Sequence, residues 1–193
     1  MSLISIVVPT VPGREHWLKK CVASCERTVP NLELIVVSNK SSCGEAWQGG
    51  VLQASGDYVL FCADDIELHD NWLQAACQVV DNGFVPAPVI YNTDGSLQSC
   101  GGSWERMEPD GNKTDFSRVP FASKELIAQI GPIPPLHYYS DNWFTAKARR
   151  LGFDPVVCYG FSMTHHLAPE QRLDERLSPD GAEYNRLVEE WSN

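Results

Sequence analysis

The stretch LISIVV at residues 3–8, closed by Pro9, decides the fold class of this chain. A continuous apolar and β-branched run that a proline ends is typical of a strand buried in a parallel sheet. Apolar residues then recur on one helical face between Trp17 and Cys25, and LELIVV at residues 32–37 predicts a second strand. Strand, helix and strand in this order form a βαβ unit, whose ligand crevice lies at the carboxyl ends of the strands.

The same alternation continues along the chain and predicts one α/β domain over residues 1–193. Three of the helix starts carry a capping residue, namely Asp70, Ser123 and Ser140. We predict a mostly parallel, twisted sheet with helices on both faces. The further elements expected are helices at 44–54, 71–81, 124–131, 141–151 and from 178, and strands at 57–62, 84–90, 116–121 and 155–159.

Composition and charge narrow the class of protein. The 193 residues are 43% hydrophobic and 21% charged, which suits one sizeable core and is too short for two comfortable domains. A formal net charge of −10 argues against broad adhesion to nucleic acid or to an anionic membrane. The seven cysteines lack a paired spacing, and no apolar run approaches the roughly 18–20 residues of a membrane span. We therefore expect a soluble, unprocessed protein of the reducing cytoplasmic compartment.

Asp64 and Asp65 follow directly on the predicted strand 57–62. Two adjacent carboxylates at a strand end repel each other unless a cation or a proton lies between them. Their oxygens suit Mg²⁺ or Mn²⁺, and in open α/β sheets such ions commonly bridge substrate phosphates. The alternative is an exposed acidic turn in front of the next helix, where acids favour the helix N-terminus.

Three further sets of residues are candidates on weaker patterns. His165 and His166 point to opposite sides of a strand, so at most one of them faces a given site. Asp141 is either a reactive group or an ordinary acid in the first turn of its helix. Arg14 and the polar residues 38–40 follow the first two strands, where backbone amides and a cation could meet a nucleotide, although turns there are polar in any protein.

The order of these segments resembles glycosyltransferase family 2, in particular its rhamnosyltransferase-like members. The resemblance spans residues 3 to about 166 and depends on the motifs in order and approximate spacing, not on any single one. The motifs are SIVVPT (5–10), LIVVSN (34–39), GDYVLF (56–61) leading into Asp64-Asp65, DGSLQSCGG (94–102), YYSDNWF (138–144), Gly152 and His165.

This resemblance implies a GT-A fold with a Rossmann-like sheet, a nucleotide-sugar donor and a divalent cation bound at the acidic pair called the DXD motif. By position, Asp65 matches the direct metal ligand and Asp64 the middle member, while Ala63 replaces the usual first Asp or Asn. His165 matches the late histidine that completes the metal site, with His166 as the alternative if the register slips by one. The implied cofactor is Mn²⁺ or Mg²⁺.

Asp141 matches the aspartate that inverting members use as general base on the acceptor hydroxyl. A sugar hydroxyl is a poor nucleophile until a carboxylate takes its proton, and the departing nucleoside diphosphate needs its growing charge neutralised. The implied activity is metal-dependent, inverting transfer of a hexose from a UDP-sugar, such as UDP-glucose, to a hydroxyl acceptor. Thymidine and guanosine diphosphates stay open as donor nucleotides.

The resemblance also assigns a donor side. The loop after the first strand matches residues that line the nucleobase and the diphosphate. Ser38 stands where members commonly place an aspartate against the base, and a serine can still hydrogen-bond a pyrimidine edge. Trp104, in a glycine-rich stretch, either offers a flat ring to a sugar or belongs to the core. The residues assigned to the donor are Pro9, Thr10, Arg14, Ser38, Asn39, Asp64, Gly102 and Trp104.

We divide the domain into a nucleotide-binding half (1–100), an acceptor and catalytic half (101–166) and a C-terminal helical tail (167–193). Residues 101–113 form a candidate flexible lid. The tail packs on the body or on a partner chain, so acceptor recognition could involve a second copy in a homo-oligomer.

Two other classes of protein stay open. A nucleotide-sugar or glycan-binding module of the same fold, with lapsed chemistry, is favoured by Ala63 and Ser38. A nucleotidyltransferase or metal-dependent phosphohydrolase would use the acidic pair and would not need Asp141. Release of nucleoside diphosphate from a donor separates these classes.

Overall fold

The computed structural model describes residues 2–100, 114–166 and 177–192 of the chain. Strand and helix alternate along the first part of these residues, as the sequence predicts. The strands are β1 (Ile4–Pro9), β2 (Leu32–Val37), β3 (Tyr58–Phe61), β4 (Ile66–Leu68), β5 (Val85–Tyr91), β6 (Leu97–Cys100), β7 (Phe121–Ser123) and β8 (Pro155–His165). The helices are α1 (Glu15–Thr28), α2 (Cys43–Val51), α3 (Trp72–Asp81), α4 (Lys124–Ile130), α5 (Ser140–Arg150) and α6 (Leu177–Glu189), with a 3-10 turn at Glu190–Ser192.

The described strands form two four-stranded sheets in place of one. In the first sheet, of order β2-β1-β3-β7, β1 is parallel to β2 and β3, and β7 is antiparallel to β3. In the second, of order β4-β8-β5-β6, β5 and β8 are parallel, while β4 and β6 are antiparallel to their neighbours. The predicted α/β class is confirmed, with the difference that antiparallel edge strands make both sheets mixed.

Helices pack on both faces of the first sheet. Successive side chains of β1 point to opposite faces, so they contact both layers of helices. Ile6 belongs to a buried cluster with Cys25 of α1 and Trp72 of α3. Val7 belongs to a second cluster with Trp47 of α2 and with residues of α4 and α5. Both Ile6 and Val7 are fully buried, which explains why the sequence of β1 is a continuous apolar run.

The predicted strand at 116–121 is wrong except for its last residue, where β7 begins. Pro120 has no N–H to donate to a ladder. The backbone N–H of Ser117 donates to Thr145 Oγ1 at 3.2 Å, and its hydroxyl donates to the Pro86 carbonyl at 2.9 Å. Ser117 thus bonds to α5 and to β5 without joining a strand ladder, and this segment is a largely buried connection.

Two short strands, β4 and β6, are not predicted by the sequence, because three or four residues give too little alternation to recognise. β8 is also longer than the predicted strand 155–159 and runs to His165. Its pairing with β5 shifts register at a bulge, where Tyr159 is 64% exposed. The added length matters for the site, since Ile66 of β4 pairs with His165 of β8.

The predicted cap of α4 is confirmed, and the predicted cap of α3 is wrong. The Ser123 hydroxyl accepts the Leu126 N–H at 3.2 Å, in front of α4. The residue before α3 is Asn71, whose backbone is left-handed with φ 66° and whose side chain makes no capping bond. Asp70 instead pairs with Arg27 at 3.0 Å, because its carboxylate lies beside the end of α1.

The C-terminal helix α6 packs on the body of the domain. Tyr184, Leu187 and Trp191 are partly buried against the cluster that includes α2, α4 and α5. Lys147 of α5 lies over the Trp191 ring at 4.6 Å. Of the two placements expected for the tail, its described part, residues 177–192, takes the one on the body.

The cysteines behave as small apolar side chains. All seven are free thiols and five are buried, in line with the expectation of reduced, packed cysteines. Across residues 2–100, 114–166 and 177–192, none of the helices has the length and apolar character needed to cross a bilayer.

Candidate active site

The acidic pair lies in the link between the two sheets. Asp64 and Asp65 stand between the end of β3 and the start of β4, and each is 4% exposed. Because β4 pairs with β8, Ile66 faces His165 across the ladder, and His165 Nε2 lies 3.5 Å from Asp65 Oδ1. The alternative of an exposed acidic turn is therefore wrong, since both carboxylates are buried.

The cation between the two carboxylates is the Arg14 guanidinium. Its Nε donates to both Asp64 oxygens at 2.9 and 3.0 Å, and its Nη2 donates to Asp64 Oδ1 at 2.7 Å and to Asp65 Oδ2 at 2.6 Å. Thr10 Oγ1 donates to Asp64 Oδ2 at 2.8 Å. The hydrogen bond to Asp64 raises the pKa of Arg14, against the opposite effect of its burial. The expected repulsion between the acids is thus relieved by a side chain of the protein itself.

His165 and Asp65 present two acceptor atoms to the same space. Gln98 Oε1 lies 3.2 Å from His165 Nδ1, so this hydrogen bond assigns the proton to Nδ1 and leaves the Nε2 lone pair facing Asp65. Two acceptors this close need a proton or a metal ion between them. Burial by itself would raise the pKa of Asp65; where a proton fills this gap, the hydrogen bond and charge of His165, and then those of Arg14, lower that pKa below its ordinary value.

His166 faces a different set of partners. Its ring Nε2 lies 3.0 Å from Glu67 Oε2, and the ring stacks on Trp17 with centroids 4.9 Å apart. Its backbone N–H donates to the Asp65 carbonyl at 2.8 Å. Of the two histidines, His165 is the one whose ring lies beside the acidic pair.

Asp65 and His165 suit a divalent cation as part of a site. Two ligand atoms 3.5 Å apart can both reach one ion at bond lengths of about 2.0–2.2 Å. In the part of the chain that the structure describes, no group of three or more His, Cys, Asp or Glu side chains is arranged to hold a metal. The protein would supply a carboxylate and an imidazole, and a bound phosphate would supply further oxygens, as is usual for Mg²⁺.

Asp141 lies in the first turn of α5 and is partly buried. Its burial raises the pKa to about 6, although a hydrogen bond from the Asn142 backbone and the charge of Arg118 act in the opposite direction. A carboxyl group with this pKa can gain and lose a proton close to neutral pH. Asp141 is therefore an acid in the first turn of a helix whose burial raises its pKa toward neutrality.

The start of α5 is set by the backbone and not by the predicted Ser140 cap. Ser140 is already helical, and its hydroxyl donates to the Leu136 carbonyl at 2.8 Å. The N-cap residue is Tyr139, with a left-handed φ of 64° and no capping bond from its side chain. Residues with a side chain seldom adopt this conformation, so other contacts must hold the loop.

One cleft of about 560 Å³ joins these groups at the strand ends. Ser38 and Asn39 are exposed after β2 and do not line the cleft. Gly102 and Trp104, together with the candidate lid at 101–113, lie outside the described residues. The sequence-predicted residues that line the cleft are Pro9, Thr10, Arg14, Asp64, Asp65, Asp141 and His165.

Two side chains of the site have no role in the sequence-based prediction. Gln98 lies in one of the quoted motifs, but a glutamine on a four-residue strand carries no pattern that points to a histidine 67 positions away. Arg118 does leave a signal, because a charged residue inside the apolar run 116–121 must find a partner when that run is buried. It lines the cleft, and its charge acts on Asp141.

The mixed α/β architecture, with two small sheets and six helices among the described residues, matches that of solved structures with the GT-A fold of glycosyltransferases. The structure is similar to the crystal structure of GalNAc-T7 with UDP, GalNAc and Mn²⁺, with a TM-score of 0.76 and 16% sequence identity. That alignment covers 98% of this chain and 48% of the GalNAc-T7 chain.

The structure is also similar to crystal structures of S. aureus TarS and of TarS 1-349, with TM-scores of 0.64 and 0.66 and 18% identity in both cases. These alignments cover 96% of this chain, and 39% and 64% of the respective TarS chains. The chain therefore spans less than two thirds of each of the three chains. No protein-family model and no curated protein matches the sequence, and at these identities the likeness establishes the fold.

Proposed function

We propose that this protein is a metal-dependent, inverting glycosyltransferase of family 2 that moves a hexose from a UDP-sugar, such as UDP-glucose, to a hydroxyl acceptor. The observation that carries the proposal is a single cleft lined by two kinds of carboxylate, Asp65 beside His165 and Asp141. The GT-A fold, shared with a GalNAc-T7 structure that contains UDP, GalNAc and Mn²⁺, supports the donor class and the metal.

On the donor side, Asp65 Oδ1 and His165 Nε2 would hold Mn²⁺ or Mg²⁺. When bound, such an ion neutralises the charge that grows on the departing diphosphate. Arg14 now donates to Asp65, so it would share that carboxylate or turn toward the donor. A guanidinium fits phosphate oxygens as well as carboxylates, and Arg14 therefore suits both positions.

On the acceptor side, Asp141 would act as general base. Its carboxylate accepts the hydroxyl proton while the acceptor oxygen bonds to the anomeric carbon, and the bond from that carbon to the diphosphate oxygen breaks with its electrons on the leaving group. Attack in line with departure inverts the configuration. A pKa of about 6 leaves most of Asp141 ionised at neutral pH and makes it a stronger base than an ordinary aspartate.

The remaining donor residues follow from the resemblance. Pro9 and Thr10 line the cleft beside the acidic pair, which suits contacts with the nucleotide. Ser38, Asn39, Gly102 and Trp104 stay predictions. In this proposal residues 1–100 bind the nucleotide, residues 101–166 receive the acceptor and residues 167–193 form a supporting tail.

A second candidate is a nucleotide-sugar or glycan-binding module with the same cleft and no transfer. The specific observation in its favour is that Arg14 already pairs with both Asp64 and Asp65, while Ala63 replaces the first acid of the motif. Such a module would bind a nucleotide sugar and leave its glycosidic bond intact.

The test of the proposed function is a thermal-shift panel of nucleoside diphosphates and their sugars with and without Mn²⁺, followed by an assay of nucleoside diphosphate release. A ligand that binds the folded state raises the melting temperature. We expect UDP with Mn²⁺ to give the largest rise and a UDP-sugar to release UDP. Binding without release from any donor favours the binding module, and the absence of binding by any nucleotide contradicts both candidates.

The metal site is tested by Asp65→Ala. We expect this change to weaken Mn²⁺-dependent UDP binding by roughly tenfold or more, because it removes one of two protein ligands. The matched control is Asp70→Ala, whose carboxylate pairs with Arg27 at the surface. Isothermal titration with and without Mn²⁺ measures the effect, and equal UDP affinity of the wild-type protein in both conditions would refute the metal site.

A further inference from the structure

The loop that precedes Asp141, residues 132–139, touches α2 on one side. The backbone N–H of Gly44 donates to the Leu136 carbonyl at 2.8 Å. A Cβ atom at Gly44 would lie 2.0 Å from the Pro134 carbonyl oxygen, so only glycine allows the two backbones to come this close. The loop is therefore fixed at its first half by direct contact with α2.

The second half of the loop is bound by α6. Asp180, in the first turn of α6, accepts the backbone N–H groups of His137 and Tyr138 through the same oxygen, Oδ2, at 2.8 Å each. One helical turn later, Tyr184 stacks on Tyr139 with ring centroids 5.5 Å apart. Three consecutive loop residues thus depend on one helix that is remote in sequence.

Tyr139 is the residue that needs this support. Its φ of 64° lies in the left-handed region, which is unfavourable for any residue with a side chain. The Tyr139 carbonyl accepts the Trp143 N–H at 2.8 Å, the bond that closes the first turn of α5. The conformation of Tyr139 therefore decides where α5 begins and where Asp141 lies in the cleft.

We propose that Asp180 is a positioning residue for Asp141: by binding the backbone of His137 and Tyr138 it holds the loop in the conformation that starts α5 and directs Asp141 into the cleft. The effect of Asp180 on catalysis rests on the proposed function, whereas its hydrogen bonds to His137 and Tyr138 do not. Asp180 is not itself among the residues that line the cleft, and it contacts the lining through the backbone N–H groups of His137 and Tyr138, so it acts through the backbone.

The alternative to a backbone effect is a direct effect of charge. Among the described residues, the titratable and charged groups whose fields act on Asp141 or respond to it are Arg118, Cys43 and Tyr184. Asp180 is not among them. An asparagine at position 180 would keep one carbonyl oxygen, which can accept both N–H groups, and would remove the charge. That substitution separates the two effects.

The test compares Asp180→Ala, Asp180→Asn and the control Glu183→Ala, whose side chain on the same helix pairs with Arg186 at the surface. We expect Asp180→Ala to lower kcat by about 10- to 100-fold with the donor KM unchanged, because a base displaced by a fraction of an ångström loses reactivity while the donor side is intact. Asp180→Asn and the control should retain kcat within about threefold. Equal losses in Asp180→Ala and Asp180→Asn would overturn the proposal in favour of charge.

A second measurement does not depend on activity. In the folded wild-type protein we expect the amides of His137 and Tyr138 to be protected from hydrogen exchange, and protection to be lost in Asp180→Ala and kept in Asp180→Asn. If Asp180→Ala does not fold, the wild-type protein and Asp180→Asn still supply this result. Unprotected amides in the wild type overturn the inference. Protected amides in a protein that transfers no sugar from any donor support the contact and refute the proposed function alone.

Discussion

The two carboxylate environments of the cleft are opposites in their chemistry. Asp64 and Asp65 receive four hydrogen bonds from Arg14, and the pKa of Asp65 lies below its ordinary value. Burial raises the pKa of Asp141 to about 6, against the opposing effects of backbone hydrogen bonds and of the Arg118 charge. One wall of the cleft thus carries fixed negative charge, and another carries a group that exchanges protons near neutrality.

This difference shows how one cleft can place carboxylates suited to two tasks, attracting a cation and accepting a proton. A carboxylate that must attract a cation works best when it stays ionised, and hydrogen bonds to its charged form keep it so. A carboxylate that must accept a proton works best with a pKa near the working pH. Under the proposed function, the cleft meets both requirements because hydrogen-bond donors surround Asp65, whereas burial raises the pKa of Asp141.

The substitution Asp141→Asn should have the largest effect on the difference between the two carboxylate environments. This change removes the proton acceptor and keeps the shape, so we expect turnover to fall by about 10²- to 10⁴-fold. UDP binding should stay nearly intact, since the donor side is unchanged. Release of UDP and titration calorimetry measure the two properties, and unchanged turnover would remove Asp141 from the role of base.

The fixed charge of the acidic pair is tested by Arg14→Ala. This change leaves two buried carboxylates without their cation, and we expect the free energy of unfolding to fall by about 3 kcal/mol at pH 7. Mn²⁺ should restore part of the loss, because the proposed metal site includes Asp65, one of the two carboxylates. Urea unfolding with and without Mn²⁺ measures both effects.

The matched control for Arg14 is Arg27→Ala. Its ion pair with Asp70 is exposed, with side-chain accessibilities of 49% and 71%, so its loss should cost under about 1 kcal/mol. Equal costs for the two variants would show that the acidic pair is not held by Arg14 in solution.

The raised pKa of Asp141 should also make the free energy of unfolding depend on pH. The pKa of Asp141 rises from 3.8 to about 6 on folding, so its contribution to stability is complete below pH 3.8 and is lost as the pH rises through 6. Asp141→Asn should therefore raise the free energy of unfolding at pH 7 by on the order of 2 kcal/mol, and the gain should vanish near pH 4.

Urea unfolding of wild type and Asp141→Asn across this pH range is the measurement. The control is Asp115→Asn at an exposed position, where we expect no comparable gain. A variant that is less stable than the wild type at pH 7 would show that the ionised Asp141 carboxylate is not penalised by its surroundings.

Much of the fold is predictable from local patterns. The sequences of β1 and β2 are apolar runs, and the apolar residues of α1 recur with the helical period. The βαβ unit in the first part of the chain can therefore be predicted from the sequence. The failures have two causes. Residues 116–120 and β4 have backbone partners that are remote in sequence, which no local rule identifies. β6 pairs with β5 across the turn at 92–96, and it is missed because four residues are too few to show a period.

For the site, the sequence by itself determined which residues carry charge and where they lie along the chain. Residue types are given directly by the sequence, and the strand ends follow from local apolar patterns. The separation of His165 from His166, the Arg14 bridge and the acidity of Asp141 were decided only by the tertiary structure. Those properties depend on distances between segments about 50 to 100 residues apart and on the exclusion of water, and electrostatic energy follows distance and solvation, not order in the chain.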